Sequence, residues 1–417
     1  MLAKRLLAVL ICAGALIGSA PGYPAAADPP PSPSIRLDGY PLAFPVPPII
    51  VEGRTMVPFR AIAEALGVTV IWNGENRSIQ AYGPGALAYL RIGVRTMWVN
   101  GTAVELDVPP MLVNDRTLVP LRAFSTAFGA GVAWNGDTFT VSITSPVRTM
   151  RTLAFYALGS FPRRDLVPRF SDVAYGWARL NDDGSLNLTG QDYFWPEPNG
   201  DVSPESLLRD AAAAGTRRLL LVHETDTEAL GMTNLILDEA KTARAADAIA
   251  ALVGEKRFDG VVLDVEYLGW SETDEELERV RQGYVRFVAA VAERMRAAGK
   301  ETAVSLPPLN GSYHGYDYAA IARVADTMQI MAHDYVVNQP EPTDQVDEAV
   351  RMAVAAVGDA NGSKLLLGLR WYETPDSLAV IVGLAKRYSL GGISWWTLGE
   401  LSDEELAALE SSVARRR

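Results

Sequence analysis

The chain has 417 residues, 50 acidic against 38 basic, a net charge of −12 at neutral pH and a single cysteine. A chain of this length has room for two hydrophobic cores. The acidic balance argues against nucleic acid or an anionic membrane surface as partner, and one cysteine excludes intrachain disulfides and multi-thiolate metal sites, leaving stability to packing.

In chain order, Lys4 and Arg5 precede an apolar run over 6–17, and Ala25-Ala26-Ala27 offers small residues before a cut at Asp28. This is the pattern of a secretory signal peptide over residues 1–27. The run is too short to span a membrane comfortably, and Cys12 follows Ile11, a poor fit to a lipoprotein acylation site. The mature chain is therefore expected to be exported, free of thiols and without a membrane span. Residues 28–34 read as a proline-rich spacer.

The sequence then repeats itself. A shift of 62 residues lays 47–74 on 109–136 without a gap, taking Pro58 to Pro120, Arg54-Thr55 to Arg116-Thr117, and Trp72-Asn73-Gly74 to Trp134-Asn135-Gly136. Each unit reads as a short hairpin, a strand, a helix opening near Pro58 or Pro120, and a second hairpin turning at Asn-Gly. Two such units predict one pseudo-symmetric α+β module over residues 35–146.

From residue 150 to 412 the pattern changes to apolar strands alternating with helical stretches. Strands are expected at 153–158, 172–178, 218–223, 260–266, 302–306, 327–332, 365–369 and 392–396. Eight strands in this span predict an α/β fold of the (β/α)8 TIM barrel type, with functional groups at the C-terminal strand ends. The fourth strand, FDGVVLDVE, carries Asp264 and Glu266 at such an end. Side chains alternate along a strand, so the two acids share a face with Val262. Crowding two acids together raises the pKa of one of them, as a general acid requires; the alternative is a strand end whose acids face solvent or pair with an arginine. Other strand ends carry Trp177, His223-Glu224, residues 331–335, Trp371-Tyr372 and Trp395-Trp396. As a set these aromatics suit stacking on sugar rings, although each alone also suits barrel packing.

The module at 35–146, with its RTxVPxRA core, resembles the copper amine oxidase N-terminal-like domain. It contains no His or Cys, the three histidines being His223, His314 and His333, and carboxylates alone make a poor copper site. It is expected to be a non-catalytic stalk or wall-attachment domain, or a folding partner for the barrel. The barrel, from about residue 152 to 401, resembles glycoside hydrolase family 18, in the branch of spore-cortex and peptidoglycan N-acetylglucosaminidases. The family's fourth-strand DGxDxDxE falls on Asp259, Gly260, Asp264 and Glu266. Its sixth-strand MxYD falls on Met331, Ala332, His333 and Asp334, and its eighth-strand Gly-Gly and barrel-floor Trp fall on Gly391, Gly392 and Trp396.

The resemblance implies that Glu266 is the general acid and that Asp264 orients the substrate 2-acetamido group, whose oxygen serves as nucleophile in a retaining reaction. It further implies substrate contacts from Asp259, Met331, His333, Asp334, Tyr335, Trp371 and Trp396, with no metal or cofactor. Two positions depart from the pattern: the middle acid is Val262 and the sixth-strand Tyr is His333, an imidazole expected to donate a hydrogen bond and to add a pH-dependent charge. The expected function is exported hydrolysis of N-acetylglucosamine-containing wall glycan, peptidoglycan or spore cortex first and chitin second. The alternative is a glycan-binding lectin on a weakened site. A metal-dependent hydrolase would need His223, Glu224, His333 and Asp334 to converge, and no HxxH or HExxH spacing supports that.

Overall fold

The structure is a computed structural model that describes residues 32–83, 85–227, 230–270 and 273–417. The predicted signal segment and most of the spacer lie outside the described residues.

In the N-terminal module the repeat builds its own symmetry. Strands Arg54–Pro58 and Arg116–Pro120 pair antiparallel with Val57 opposite Val119. Those two valines are equivalent under the 62-residue shift, so a local two-fold axis passes through them. Each strand runs into a seven-residue helix, Phe59–Ala65 or Leu121–Ala127, entered directly from a proline whose ring fixes φ near the helical value. Asn73 and Asn135 then turn the following hairpins by accepting backbone N–H groups two and three residues on. Val57, Ile62, Val119 and Phe124 lie at the centre of a core that belongs to the module alone.

Eight parallel strands close the barrel: β1 (Arg148–Tyr156), β2 (Asp172–Leu180), β3 (Arg217–Thr225), β4 (Gly260–Glu266), β5 (Glu301–Leu306), β6 (Thr327–Ile330), β7 (Leu365–Arg370) and β8 (Gly392–Trp396). β8 pairs with β1, which completes the ring. Gly391 and Gly392 permit that closure, because a Cβ would collide with the carbonyl oxygen of Ser363 or Arg151. Inward-facing Leu153, Phe155, Ala174, Leu219, Leu221, Val262, Ala303 and Leu366 fill the barrel, while the alternate residues of each strand pack against the helices.

The N-terminal mouth is closed by charge. Arg151 bonds Asp172 at 2.8 Å and Glu301 at 2.5 Å, and Arg217 reaches the same two carboxylates at 3.2 and 2.5 Å. Burial pushes the Glu301 carboxyl up, but the two guanidiniums outweigh it and hold the group down at about 2. The module contacts the barrel at helix Pro375–Arg387, where the buried Lys386 ammonium donates to Ser145 Oγ at 3.1 Å, Pro146 O at 3.2 Å and Ser412 Oγ at 2.6 Å. Among the described residues no helix is long and apolar enough to cross a membrane.

Candidate active site

Above the apolar filling, the next inward layer of the barrel is polar. Strand register sets His223 of β3 beside Asp264 of β4, Asp264 beside Ser305 of β5, and Ser305 beside Gln329 of β6. His223, Asp264 and Ser305 each lie two positions beyond an apolar residue on their own strands, so the period-two alternation that buries Leu221, Val262 and Ala303 also aims these groups into the mouth. His223 Nδ1 lies 3.2 Å from Asp264 Oδ2, and Ser305 Oγ donates to Gln329 Oε1 at 2.8 Å. Asp264 is 3% exposed, and its other oxygen, Oδ1, is buried with no hydrogen-bond partner.

Glu266 stands one inward step nearer the solvent. Burial, the Asp264 charge beside it and, in the opposite sense, His223 together push its carboxyl up from 4.5 to about 7. Such a group keeps its proton up to about neutral pH and can still release it, the property of a general acid. Burial lowers the His223 imidazole, yet its hydrogen bond to Asp264 and the charges of Asp264, Glu266 and Glu224 outweigh burial and raise it. The ligand atoms of His223, Asp264 and Glu266 lie within 4.8 Å of one another.

The end of β6 differs from the sequence expectation. Met331 and His333 share the inward parity of Gln329, while Asp334 turns out of the strand at a φ of 69°. Buried Glu341 fixes this turn by accepting the N–H of Asp334 at 2.7 Å and of Tyr335 at 3.2 Å. Asp334 is bound by the Arg370 guanidinium and accepts from His333 Nδ1 at 2.9 Å. Burial first, and the Arg370 charge second, lower the His333 imidazole to about 4, so it is uncharged at neutral pH. Because its Nδ1 proton goes to a carboxylate, the buried and unpartnered Nε2 is an acceptor. His333 thus does donate, but to Asp334 rather than into the mouth, and its lowered pKa moves the pH-dependent charge to well below neutral pH.

Asp259 is also corrected. It sits just before β4, at the opposite end of the barrel, where Arg218 clamps it at 2.9 and 3.0 Å. Five residues of strand, roughly 16 Å, separate it from Asp264, and it has the opposite parity, so it neither meets substrate at the mouth nor receives a proton from Asp264. Among the described residues His223, Glu224, His333 and Asp334 do not form one ligand group: His223 Nδ1 meets Asp264, and His333 Nδ1 meets Asp334.

The strand-end aromatics divide. Trp177 and Trp395 are buried packing residues, and Trp371 lies under the Arg370 guanidinium at 4.4 Å. Trp396 faces the barrel interior against Phe155, ring centroids 5.2 Å apart. Tyr335 donates from its hydroxyl to Asn310 Oδ1 at 2.8 Å. Sequence reading missed Tyr193, which stacks on His223 at 4.0 Å and lies 6.4 Å from Trp396. It also missed a shelf of three rings beside Glu266, where Tyr267 stacks on Tyr313 at 4.9 Å and Trp270 leans on Tyr313 at 5.2 Å. Trp270 is 63% exposed, the signature of a surface ring without a core role. These residues lie on loops, where strand periodicity gives no signal.

Fold and mouth together define a (β/α)8 barrel with a carboxyl held above its ordinary pKa and an aromatic rim at the C-terminal ends of its strands. Residues 171–373 match the family described as glycosyl hydrolases family 18, and residues 36–143 match the copper amine oxidase N-terminal domain. The barrel is thus a family 18 domain, carried behind a copper amine oxidase N-terminal domain that has no His or Cys to hold copper. A putative sporulation-specific glycosylase YdhD of Bacillus subtilis (strain 168) is 27% identical over 190 residues, 42% of this chain and 43% of that protein. The chain spans less than half the length of the curated relatives it matches. Solved structures of the same fold include the Bacillus cereus spore cortex-lytic enzyme SleL, with TM-score 0.53 and 16% identity over 65% of this chain and 76% of that one. A chitinase of Chromobacterium violaceum has TM-score 0.52 and 19% identity over 63% and 99%.

Proposed function

We propose that this protein is an exported glycoside hydrolase that cuts N-acetylglucosamine-containing wall glycan, peptidoglycan or spore cortex in preference to chitin, with retention of anomeric configuration. The observation that carries the reading is Glu266, raised to about 7 beside buried Asp264 at the mouth of a family 18 barrel. In the proposed reaction the acetamido oxygen of the substrate attacks C1 while the Glu266 carboxyl gives its proton to the departing glycosidic oxygen. Asp264 Oδ1, buried and unpartnered, accepts the acetamido N–H. The Glu266 carboxylate then takes a proton from the water that opens the oxazolinium ring, which restores the acid. Trp396 and the Tyr267–Tyr313–Trp270 shelf offer apolar faces to sugar rings on either side. The spore cortex-lytic and sporulation relatives support wall or spore glycan as substrate and an extracellular or spore-associated location.

A second reading, a glycan-binding lectin, draws on Val262, on His333, whose donor is spent on Asp334, and on Tyr193 stacked near Trp396. Digestion of purified peptidoglycan and of chitin oligomers by the parent and by Glu266→Gln, with products identified by mass, separates the two. Released sugar that disappears in the variant supports the hydrolase; tight binding without any release supports the lectin.

A further inference from the structure

We propose that His223 takes over the work of the acid missing at position 262: hydrogen-bonded to Asp264 from the neighbouring strand, it holds that carboxylate facing Glu266 and supplies the countercharge for proton release. The inference rests on the hydrolase reading above. Three observations carry it. The register of β3 on β4 sets His223 level with Asp264, and Nδ1 lies 3.2 Å from Oδ2, so the imidazole partners Asp264 from the side, one inward layer above Val262, which offers no polar group. Among the described residues the Asp264 side chain has no other hydrogen-bond partner, its second oxygen being unpartnered. The ring is itself held in place by Tyr193 stacked on it at 4.0 Å with 19° between planes.

The charge logic follows from the proton inventory. The hydrogen bond to Asp264 and the charges of Asp264, Glu266 and Glu224 outweigh burial and favour the protonated imidazole of His223. When Glu266 gives up its proton, two carboxylates stand side by side, and the His223 cation is what offsets the second. His223 is therefore a positioning residue, acting through Asp264 and Glu266. The other ionisable groups around the cluster are Glu224 with Arg179 at 4.0 Å, the phenols of Tyr193, Tyr267 and Tyr313 at the mouth, Tyr284 and Tyr316 behind β4, and His333 across the barrel.

The test compares the parent, His223→Leu and His223→Asn on an aryl N-acetylglucosaminide oligomer across pH 5–9, beside a 15N imidazole titration. His223→Leu should lower kcat by about tenfold to a hundredfold, as expected for a misplaced reacting group, with a smaller change in KM. Asn keeps a donor and should recover part of that rate. In both variants the alkaline limb of the pH profile should move upward, because the cation that eased Glu266 deprotonation is gone; loss of packing alone would not move the limb. With only three histidines the titration is resolvable, and Asp264→Asn should lower the His223 pKa. An active parent whose His223→Leu variant keeps its rate and its alkaline limb overturns the proposal. A parent with no activity on any N-acetylated glycan overturns the hydrolase reading instead; the titration then still judges the pairing, and a His223 pKa indifferent to Asp264→Asn refutes it.

Discussion

Glu266 sets both chemistry and stability at the scale of a residue. Its folded value of about 7 lies above the ordinary 4.5, so between those values the folded chain binds more protons than the unfolded one and stability falls as pH rises. The penalty is fully present above pH 7, on the order of 3 kcal/mol. Glu266→Gln should therefore lose about 10²–10⁴-fold in rate, as removal of a general acid does, and yet melt higher than the parent at pH 8 while matching it near pH 4. Rate assays and thermal melts at the two pH values check both halves. In the parent the rate should decline as pH rises through 7, because the proton on Glu266 is the one transferred. The exposed Trp270 belongs to the same scale. Truncating it to Ala should raise KM for oligomers roughly two- to tenfold, the worth of one stacking contact, and leave kcat nearly unchanged, which initial-rate kinetics on a trimer or longer glycan would show.

At the scale of elements, the polar and apolar layers of the barrel come from the same alternation, and its two mouths do different work. The C-terminal mouth keeps unsatisfied groups, Asp264 Oδ1 and His333 Nε2. The N-terminal mouth is knitted shut by Arg151, Arg217, Asp172 and Glu301, drawn from β1, β2, β3 and β5. Arg151→Met leaves two buried carboxylates short of a partner and should cost about 3–5 kcal/mol, measured by denaturant unfolding at pH 7. Glu301 is depressed to about 2, so its contribution is present above the ordinary value of 4.5 and is lost as pH falls from there toward 2. Glu301→Gln should flatten the acid side of the stability curve, and a curve as steep as the parent's below pH 4.5 would count against this assignment.

For the whole molecule, the N-terminal module is held to the barrel through Lys386, whose three hydrogen bonds reach Ser145, Pro146 and Ser412. Burial lowers the ammonium below its ordinary value, and the partners are what keep it satisfied. Lys386→Met should weaken that attachment by about 1–3 kcal/mol, the cost of orphaning buried polar groups. It should expose the connection near residues 145–150, the boundary we propose between module and barrel. Limited proteolysis with mass mapping checks it: faster cleavage there is expected, and an unchanged cleavage pattern would argue that the attachment lies elsewhere.

The repeat, the eight barrel strands and the positions of Asp264 and Glu266 were legible in the sequence because each rests on periodicity. The shift of 62 residues places Val57 on Val119, and alternation along β4 puts 262, 264 and 266 on one face whatever surrounds them. The strand predicted for 327–332 ran two residues long, ending at Ile330, and the turn at Asp334 beyond it depends on Glu341, a residue brought back from beyond the loop. Partnership was decided in the tertiary structure. Which way each histidine shifts, which carboxylate is clamped and what Asp334 pairs with depend on neighbours 36 to 41 residues away in sequence: His223 on Asp264, Arg218 on Asp259, Arg370 on Asp334 by way of adjoining strands. Local pattern fixes the direction in which a side chain points; its protonation and its role follow from burial and from charges that only the closed barrel brings within a few ångströms.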